Sequence, residues 1–285
     1  MRKKYILISL VLIVLAVISC NHPRQPQQTG KSEKSDTTVN KVEKKDTVVA
    51  RQAGNTAAMI YAKPEVPVLC YHRISEGSKS EYKVSPATFT SHMKILADSG
   101  YHSISPAQLY DYLVYNKALP EKPFMITFDD SREEHAEIAA PVMEKYGFRG
   151  VFFIMTITYN KKNYMTKEQI AQLSKNGHTI GLHSWDHTMV IKYKDAADWQ
   201  KQVASPKKKL EGIVGKDVEF WAYPNGVYDI KGAAELSKYF KLSFTLSQKC
   251  DPLQPLQTVR RMIVPERTPQ GLLKSMHLTF GKKKP

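Results

Sequence analysis

The stretch Phe124-Met125-Ile126-Thr127-Phe128-Asp129-Asp130 decides the reading of this chain. Phe124 to Phe128 has the composition of a short buried strand, and two carboxylates follow it at once. A second junction of this kind lies at Thr179-Ile180-Gly181-Leu182, followed by His183-Ser184-Trp185-Asp186-His187. Outward from these two, strand-like runs at 67–71, 150–155, 220–223, 242–246 and 259–264 alternate with helical patterns at 87–99, 107–115, 134–146, 167–176, 196–214, 231–240 and 269–276. Ser85-Pro86 and Ser105-Pro106 are helix starts, with the serine as N-cap and the proline at the first helical position. Gly177 closes the helix before it, and Pro206 kinks or divides the long pattern that contains it. Strands alternating with helices imply parallel βαβ units, and this many units favour a closed or nearly closed α/β barrel. In such barrels chemistry gathers at the C-terminal ends of the strands. Asp129, Asp130, His183, His72 (after Tyr71) and Asn225 (after Tyr223) all stand there.

These residue types suit one chemistry. An Asp and two His can hold a divalent metal with a position left for water, and a spare carboxylate beside them can act as base. His183 and His187, four residues apart, share a face if they lie on a helical turn. Each cluster also has a bland reading. Asp130 could cap the helix that begins near Glu133, and paired histidines are often surface residues. Two clusters, each directly after a strand, point to a hydrolase.

The ends of the chain carry different information. Arg2, Lys3 and Lys4 precede an apolar run from Ile6 to Ile18, which reads as a secretory signal segment. Val17-Ile18-Ser19-Cys20 resembles a lipobox, which implies cleavage before Cys20 and lipidation of its thiol; an uncleaved anchor is the alternative. The run is shorter than the roughly 20 apolar residues of a spanning helix. Residues 21–60 are polar and are expected to be a flexible linker, the charged run 31–46 included. Residues 61–285 are expected to form one catalytic domain. Of the net charge of +15, +6 lies in the first 60 residues and +9 in the rest. A basic surface suits anionic polymers or membranes, but no nucleic-acid motif accompanies it, so nucleic acid is not an expected partner. With Cys20 assigned, Cys70 and Cys250 remain, either as thiols or as a disulfide.

On these motifs the chain resembles the polysaccharide deacetylases of the NodB type, carbohydrate esterase family 4, over roughly residues 65–280. Thr127-Phe128-Asp129-Asp130 and His183-Ser184-x-x-His187 carry the resemblance. It implies a distorted (β/α) barrel and metal-dependent N-deacetylation of a sugar polymer, usually with zinc. By matching position, Asp129 is the general base and Asp130, His183 and His187 bind the metal. Val68-Leu69-Cys70-Tyr71-His72, Ser85-Pro86-x-x-Phe89 and Gly100-Tyr101 resemble the poly-N-acetylglucosamine deacetylase branch. There the opening histidine serves as catalytic acid, which makes His72 the candidate, with His277 as its rival.

Two departures stand out. Many members have Arg-x-Pro-Tyr-Gly in the third motif, and here the run is Ala222-Tyr223-Pro224-Asn225-Gly226. Another cation, Arg261 being the candidate, is then needed to orient Asp129. Asn225 would offer its backbone N–H to the oxyanion. Ser131 also follows Asp130 where glycine is usual. Trp185, Trp221 and Tyr223, with Tyr159 and Tyr164, are candidates to stack on sugars, Trp185 first because it lies between two ligands. The expectation is a lipid-anchored N-deacetylase of an N-acetylglucosamine-containing polysaccharide in the cell envelope. An O-acetyl esterase and a non-catalytic glycan-binding protein are the alternatives. Zinc is the expected metal, and cobalt, nickel or manganese also suit the donors.

Overall fold

Short runs of branched and aromatic residues give strands buried on both faces when helices cover one face and a barrel interior the other. The computed structural model describes residues 54–281 apart from residue 79. The strands are β1 (Val68–Tyr71), β2 (Arg73–Ile74), β3 (Lys83–Val84), β4 (His102–Ser103), β5 (Pro123–Phe128), β6 (Val151–Ile154), β7 (Thr179–Leu182), β8 (Phe220–Ala222), β9 (Leu242–Thr245), β10 (Val259–Arg260) and β11 (Met262–Ile263). The main sheet runs β10-β9-β8-β7-β6-β5-β1-β11, with β4 added beside β5, while β2 and β3 form a separate pair. All these pairings are parallel. The sheet is a nearly closed, distorted (β/α) barrel, as the alternation of elements predicts.

The single strand predicted over 259–264 is two strands. Val259 and Arg260 pair with β9, at one end of the strand order, while Met262 and Ile263 pair with β1, at the other. One short stretch of chain therefore spans the closure, with Arg261 at the step between the two pairings.

Side chains alternate across a strand, so each strand serves two cores. Val68, Met125, Phe153, Phe220, Ala222 and Phe244 belong to one cluster, and Phe153 meets Phe244 across two intervening strands, inside the barrel. Their neighbours Leu69, Ile126, Phe128, Phe152, Leu182 and Trp221 join the cluster under the helices. Gly181 has interior parity, and a Cβ there would lie 2.5 Å from the Phe153 ring.

The helices begin as their sequences predict. Ser85 and Ser105 cap Pro86–Asp98 and Pro106–Tyr115, the latter with a full capping box to Gln108. The long pattern around Pro206 is divided, with Ala196–Trp199 and Ser205–Val214 joined by a π turn over Gln200–Ala204. The same device precedes Pro141, where the π turn His135–Ala139 leads into Ala140–Lys145. Proline donates no N–H and its ring crowds the carbonyl four residues back, and the wider turn relieves both.

One expectation is corrected and one open question is answered. The fold begins before residue 61: Thr56 caps a helix over Ala57–Tyr61, Ile60 is buried, and the Asn55 side chain donates to Leu113 O at 2.7 Å. This end of the predicted linker is therefore docked, because it has an apolar residue to bury and a cap to form. Cys70 and Cys250, whose pairing the sequence leaves open, are not bonded to each other. Cys70 lies beside Asp129 and His72, whereas Cys250 lies against Asp251, Pro255 and Thr258. The signal segment, Cys20 and most of the linker lie outside the described residues. Among the described residues, no helix is long and apolar enough to cross a membrane.

Candidate active site

Parity along the strands brings the reactive groups together. Thr127 and Asp129 share the interior side of β5, Cys70 and His72 that of β1, and Gly181 and His183 that of β7. Asp129 is 1% exposed. The Arg261 guanidinium donates Nη1 to its Oδ1 at 2.7 Å and Nη2 to its Oδ2 at 2.8 Å, and Nη1 also reaches Thr127 Oγ1 at 3.2 Å. Burial is the largest single influence and would raise the Asp129 carboxyl, but the Arg261 charge and hydrogen bonds, joined by His183 and His72, together outweigh it and hold the group well below the usual carboxylate range. Arg261 thus supplies the cation at Asp129 that Ala222 cannot.

By alternation, Asp130 would face away from Asp129. A left-handed turn at Asp130 (φ 72°) and Ser131 (φ 57°) brings it back to the same cleft. The Ser131 hydroxyl accepts the Met155 amide at 2.7 Å and its carbonyl accepts the Met165 amide at 2.9 Å, so the loop is held without glycine. Ser184 (φ 65°) and His187 (φ 72°) are also left-handed, and the Ser184 hydroxyl accepts the His187 amide at 2.8 Å. The two histidines therefore meet across a turn, not along a helical face, and this corrects the expected local structure. Asn225 (φ 57°) completes a set of five strained non-glycine residues at one mouth.

The donor geometry suits a metal. His183 Nδ1 donates to Ala222 O at 2.8 Å, which leaves Nε2 with its lone pair. That Nε2 lies 3.7 Å from Asp130 Oδ1, and His187 Nε2 lies 3.5 Å from the same oxygen. Ligands about 2.1 Å from a tetrahedral zinc are about 3.4 Å apart. Burial lowers the His183 pKa against the pull of Asp129 and Asp130, so the ring is neutral, as a ligand must be. Cys70, His72 and Asp129 form a second compact group. A cation there would meet the Arg261 charge, and burial raises the Cys70 thiol far above its ordinary value.

His72 Nε2 lies 3.9 Å from Asp129 Oδ2, and both residues line the cleft. Its carbonyl accepts a bond from His135 Nε2 at 2.7 Å, and its ring meets Tyr82 edge-on, with centroids 5.0 Å apart. His277, the rival acid, is exposed on the closing helix Pro269–Phe280, outside the cleft.

The cleft is about 310 Å³ and includes His72, Asp129, Asp130, His183, His187 and Asn225. It is also lined by Arg73, Tyr82, Arg132 and Leu246, which the sequence reading missed. Arg73 was legible as a strand-end neighbour of His72, whereas no motif marks Tyr82, which is 46% exposed. The predicted sugar platforms are corrected. Trp221 and Tyr223 are both 0% exposed, because they flank the inward-facing Ala222 and so point into the helix layer. The Tyr223 hydroxyl donates to Gln257 O at 2.9 Å. Trp185 is half-buried with Lys201 Nζ 4.6 Å from its ring centroid, and neither it nor Tyr159 nor Tyr164 lines the cleft.

A family model described as polysaccharide deacetylase matches residues 116–239. A Bacillus subtilis (strain 168) protein that carries the provisional name polysaccharide deacetylase is 30% identical over 233 residues, covering 80% of this chain and 81% of that protein. The chain belongs to the polysaccharide deacetylase family. This deacetylase is also 27% identical over 184 residues to the poly-β-1,6-N-acetyl-D-glucosamine N-deacetylase of Staphylococcus aureus (strain MSSA476), covering 59% of this chain and 62% of that protein. Among solved structures, the Streptococcus pyogenes deacetylase PplD in complex with acetate has a TM-score of 0.70 at 23% identity, covering 75% of this chain and 99% of that one, and is a likeness of fold. IcaB from Ammonifex degensii has a TM-score of 0.61 at 25% identity, covering 76% of this chain and 97% of that one. The deacetylase is accordingly a hydrolase with a donor set capable of holding a metal.

Proposed function

We propose that this deacetylase is metal-dependent and removes N-acetyl groups from an N-acetylglucosamine-containing polysaccharide in the cell envelope. The observation that carries the reading is the donor set Asp130, His183 and His187 set against a second carboxylate, Asp129, that Arg261 keeps ionised. A divalent cation bound by those three residues would polarise the acetamide carbonyl and acidify a water; zinc fits, and cobalt, nickel or manganese are also suited. Asp129 takes the proton of the attacking water. The Asn225 backbone N–H faces the developing oxyanion. His72 gives a proton to the departing amine. Burial lowers its pKa against the pull of Asp129 and Asp130, so its imidazolium is a strong donor once formed. Tyr82 supplies an exposed ring for a sugar face at the lip of the cleft.

The Staphylococcus aureus relative is named for a β-1,6-linked polymer, so that linkage enters the test beside β-1,4. A membrane anchor at Cys20, with an envelope location, belongs to the same proposal and is supported by the basic head, apolar run and Cys20 of the first residues. The test is acetate release from β-1,6- and β-1,4-linked N-acetylglucosamine oligomers, with and without added zinc, beside Asp129→Asn. Zinc-dependent release that falls at least hundredfold in the variant is the expected result. Release only from O-acetylated glycans would replace the proposal with an esterase. The glycan-binding alternative rested on the missing arginine at position 222, and Arg261 at Asp129 removes that reason.

A further inference from the structure

We infer that the cleft selects a polysaccharide bearing a carboxylate close to the N-acetylated sugar, and that Arg132 is the residue that reads it. This rests on the deacetylase reading and deepens it. Arg132 lies two residues beyond Asp130 and lines the same cleft. Its guanidinium carbon sits 4.5 Å from the centroid of the Tyr164 ring, which supports the flat face of the group. Its Nε is buried and has no hydrogen-bond partner. Among the described residues it forms no ion pair. The other two arginines at the site are answered within the fold, Arg73 by Glu134 at 2.6 Å and Arg261 by Asp129.

The surroundings reinforce the charge. Hydrogen bonds from the Met165 amide to Ser131 O and from the Glu133 amide to Asn163 O hold the 160–165 loop beside the cleft. That loop carries exposed Lys161 and Lys162, and neither forms an ion pair among the described residues. Glu133 is the nearest carboxylate in sequence and is not paired with Arg132. Arg132 is half-buried, and a guanidinium whose Nε is buried without a partner at a substrate wall favours a ligand that answers it. A neutral oligosaccharide offers no partner, and a glycan already deacetylated brings ammonium groups that Arg132 repels. A carboxylate matches the guanidinium fork and can be held by two parallel bonds. It could come from a lactyl ether on an amino sugar or from a uronic acid, and the two share the chemistry argued here.

The experiment compares KM for acetate release by the zinc-loaded full chain on matched oligomers: neutral, lactyl-bearing and uronate-bearing. It is run at low and at roughly 0.5 M salt, where exposed charges are largely screened. The expected result is a KM about tenfold lower for at least one carboxylated series, as one charge-assisted contact supplies. The preference should shrink at high salt, collapse in Arg132→Gln and survive in part in Arg132→Lys. Whichever series is preferred names the source of the carboxylate. Equal KM values in the parent protein, a preference indifferent to salt, or one retained in Arg132→Gln would overturn the inference. If Arg132→Gln does not fold, Arg132→Lys and the salt series still decide. If no oligomer releases acetate, the deacetylase reading fails, and calorimetric binding of the same three series decides the carboxylate preference by the same ratio.

Discussion

At Asp129 a wholly buried carboxylate is kept ionised chiefly by one guanidinium reaching it from the step that spans the barrel closure. Removing that guanidinium leaves burial as the dominant influence, and burial raises a carboxyl. Arg261→Gln is therefore expected to move the acid limb of kcat/KM to higher pH, and to cost about 3 kcal/mol of stability because a buried charge loses its partner. Arg261→Lys keeps the charge but not the fork, so its acid limb should move less while kcat still falls. A pH–rate profile of the three proteins checks this; coincident acid limbs would dismiss Arg261 as the group that sets Asp129. The role was only half legible in the sequence. Ala222 showed that an arginine was missing, and Arg261 could be nominated because it lies in a late strand. That it stands at the step between β10 and β11 depends on barrel closure, which is a long-range property. Trp221 and Tyr223 failed as sugar platforms for a more local reason. They flank Ala222, and a strict period of two sends them to the opposite face.

The elements that aim these residues are turns more than strands. Alternation alone places Asp129 and His183 inside the barrel, but Asp130, His187 and Asn225 reach the cleft through left-handed backbone. Such conformations cost free energy and persist where their surroundings hold them. Gly226 holds the last of these turns. Its φ is 67°, and a Cβ there would lie 2.3 Å from Leu246 Cβ and 2.6 Å from the Leu246 backbone nitrogen. Gly226→Ala is expected to lower stability by about 2 kcal/mol or more and to lower kcat, because the turn that carries Asn225 must shift. Unchanged melting and unchanged kcat would show that the turn is not strained by contact. Capping serines and proline starts were readable because they are local signals. The turn joining His183 to His187 was not, since a spacing of four residues fits a helix as well as a turn, and nothing local tells Ser184 from an ordinary helical serine.

Across the barrel, five of the described histidines are held by burial in a less basic state, and this shapes its response to acid. His72, His92, His135, His178 and His183 all have pKa values lowered by burial. His135 shows the cause plainly. It is 0% exposed, its ring lies against Phe128 and Phe152, its Nε2 is committed to His72 O, and its Nδ1 has no partner. Protonation would bury an unsatisfied charged N–H, and the pKa falls to about 4. The unfolded chain binds this proton near the ordinary value of 6.5, so below that pH unfolded molecules carry more protons than folded ones. Stability is therefore intact above about pH 6.5 and lost progressively as pH falls toward 4. A shift of that size corresponds to about 3 kcal/mol for His135 alone. In a domain of this size each ~1 kcal/mol moves the melting temperature by roughly 2–4 °C. His135→Gln keeps a donor for His72 O and removes the titration. Its melting temperature should fall less steeply between pH 7 and pH 4.5 than that of the parent, whatever the variant costs at neutral pH. Parallel slopes would mean that His135 takes up its proton without unfolding, and that the acid sensitivity of the barrel resides in the other buried histidines.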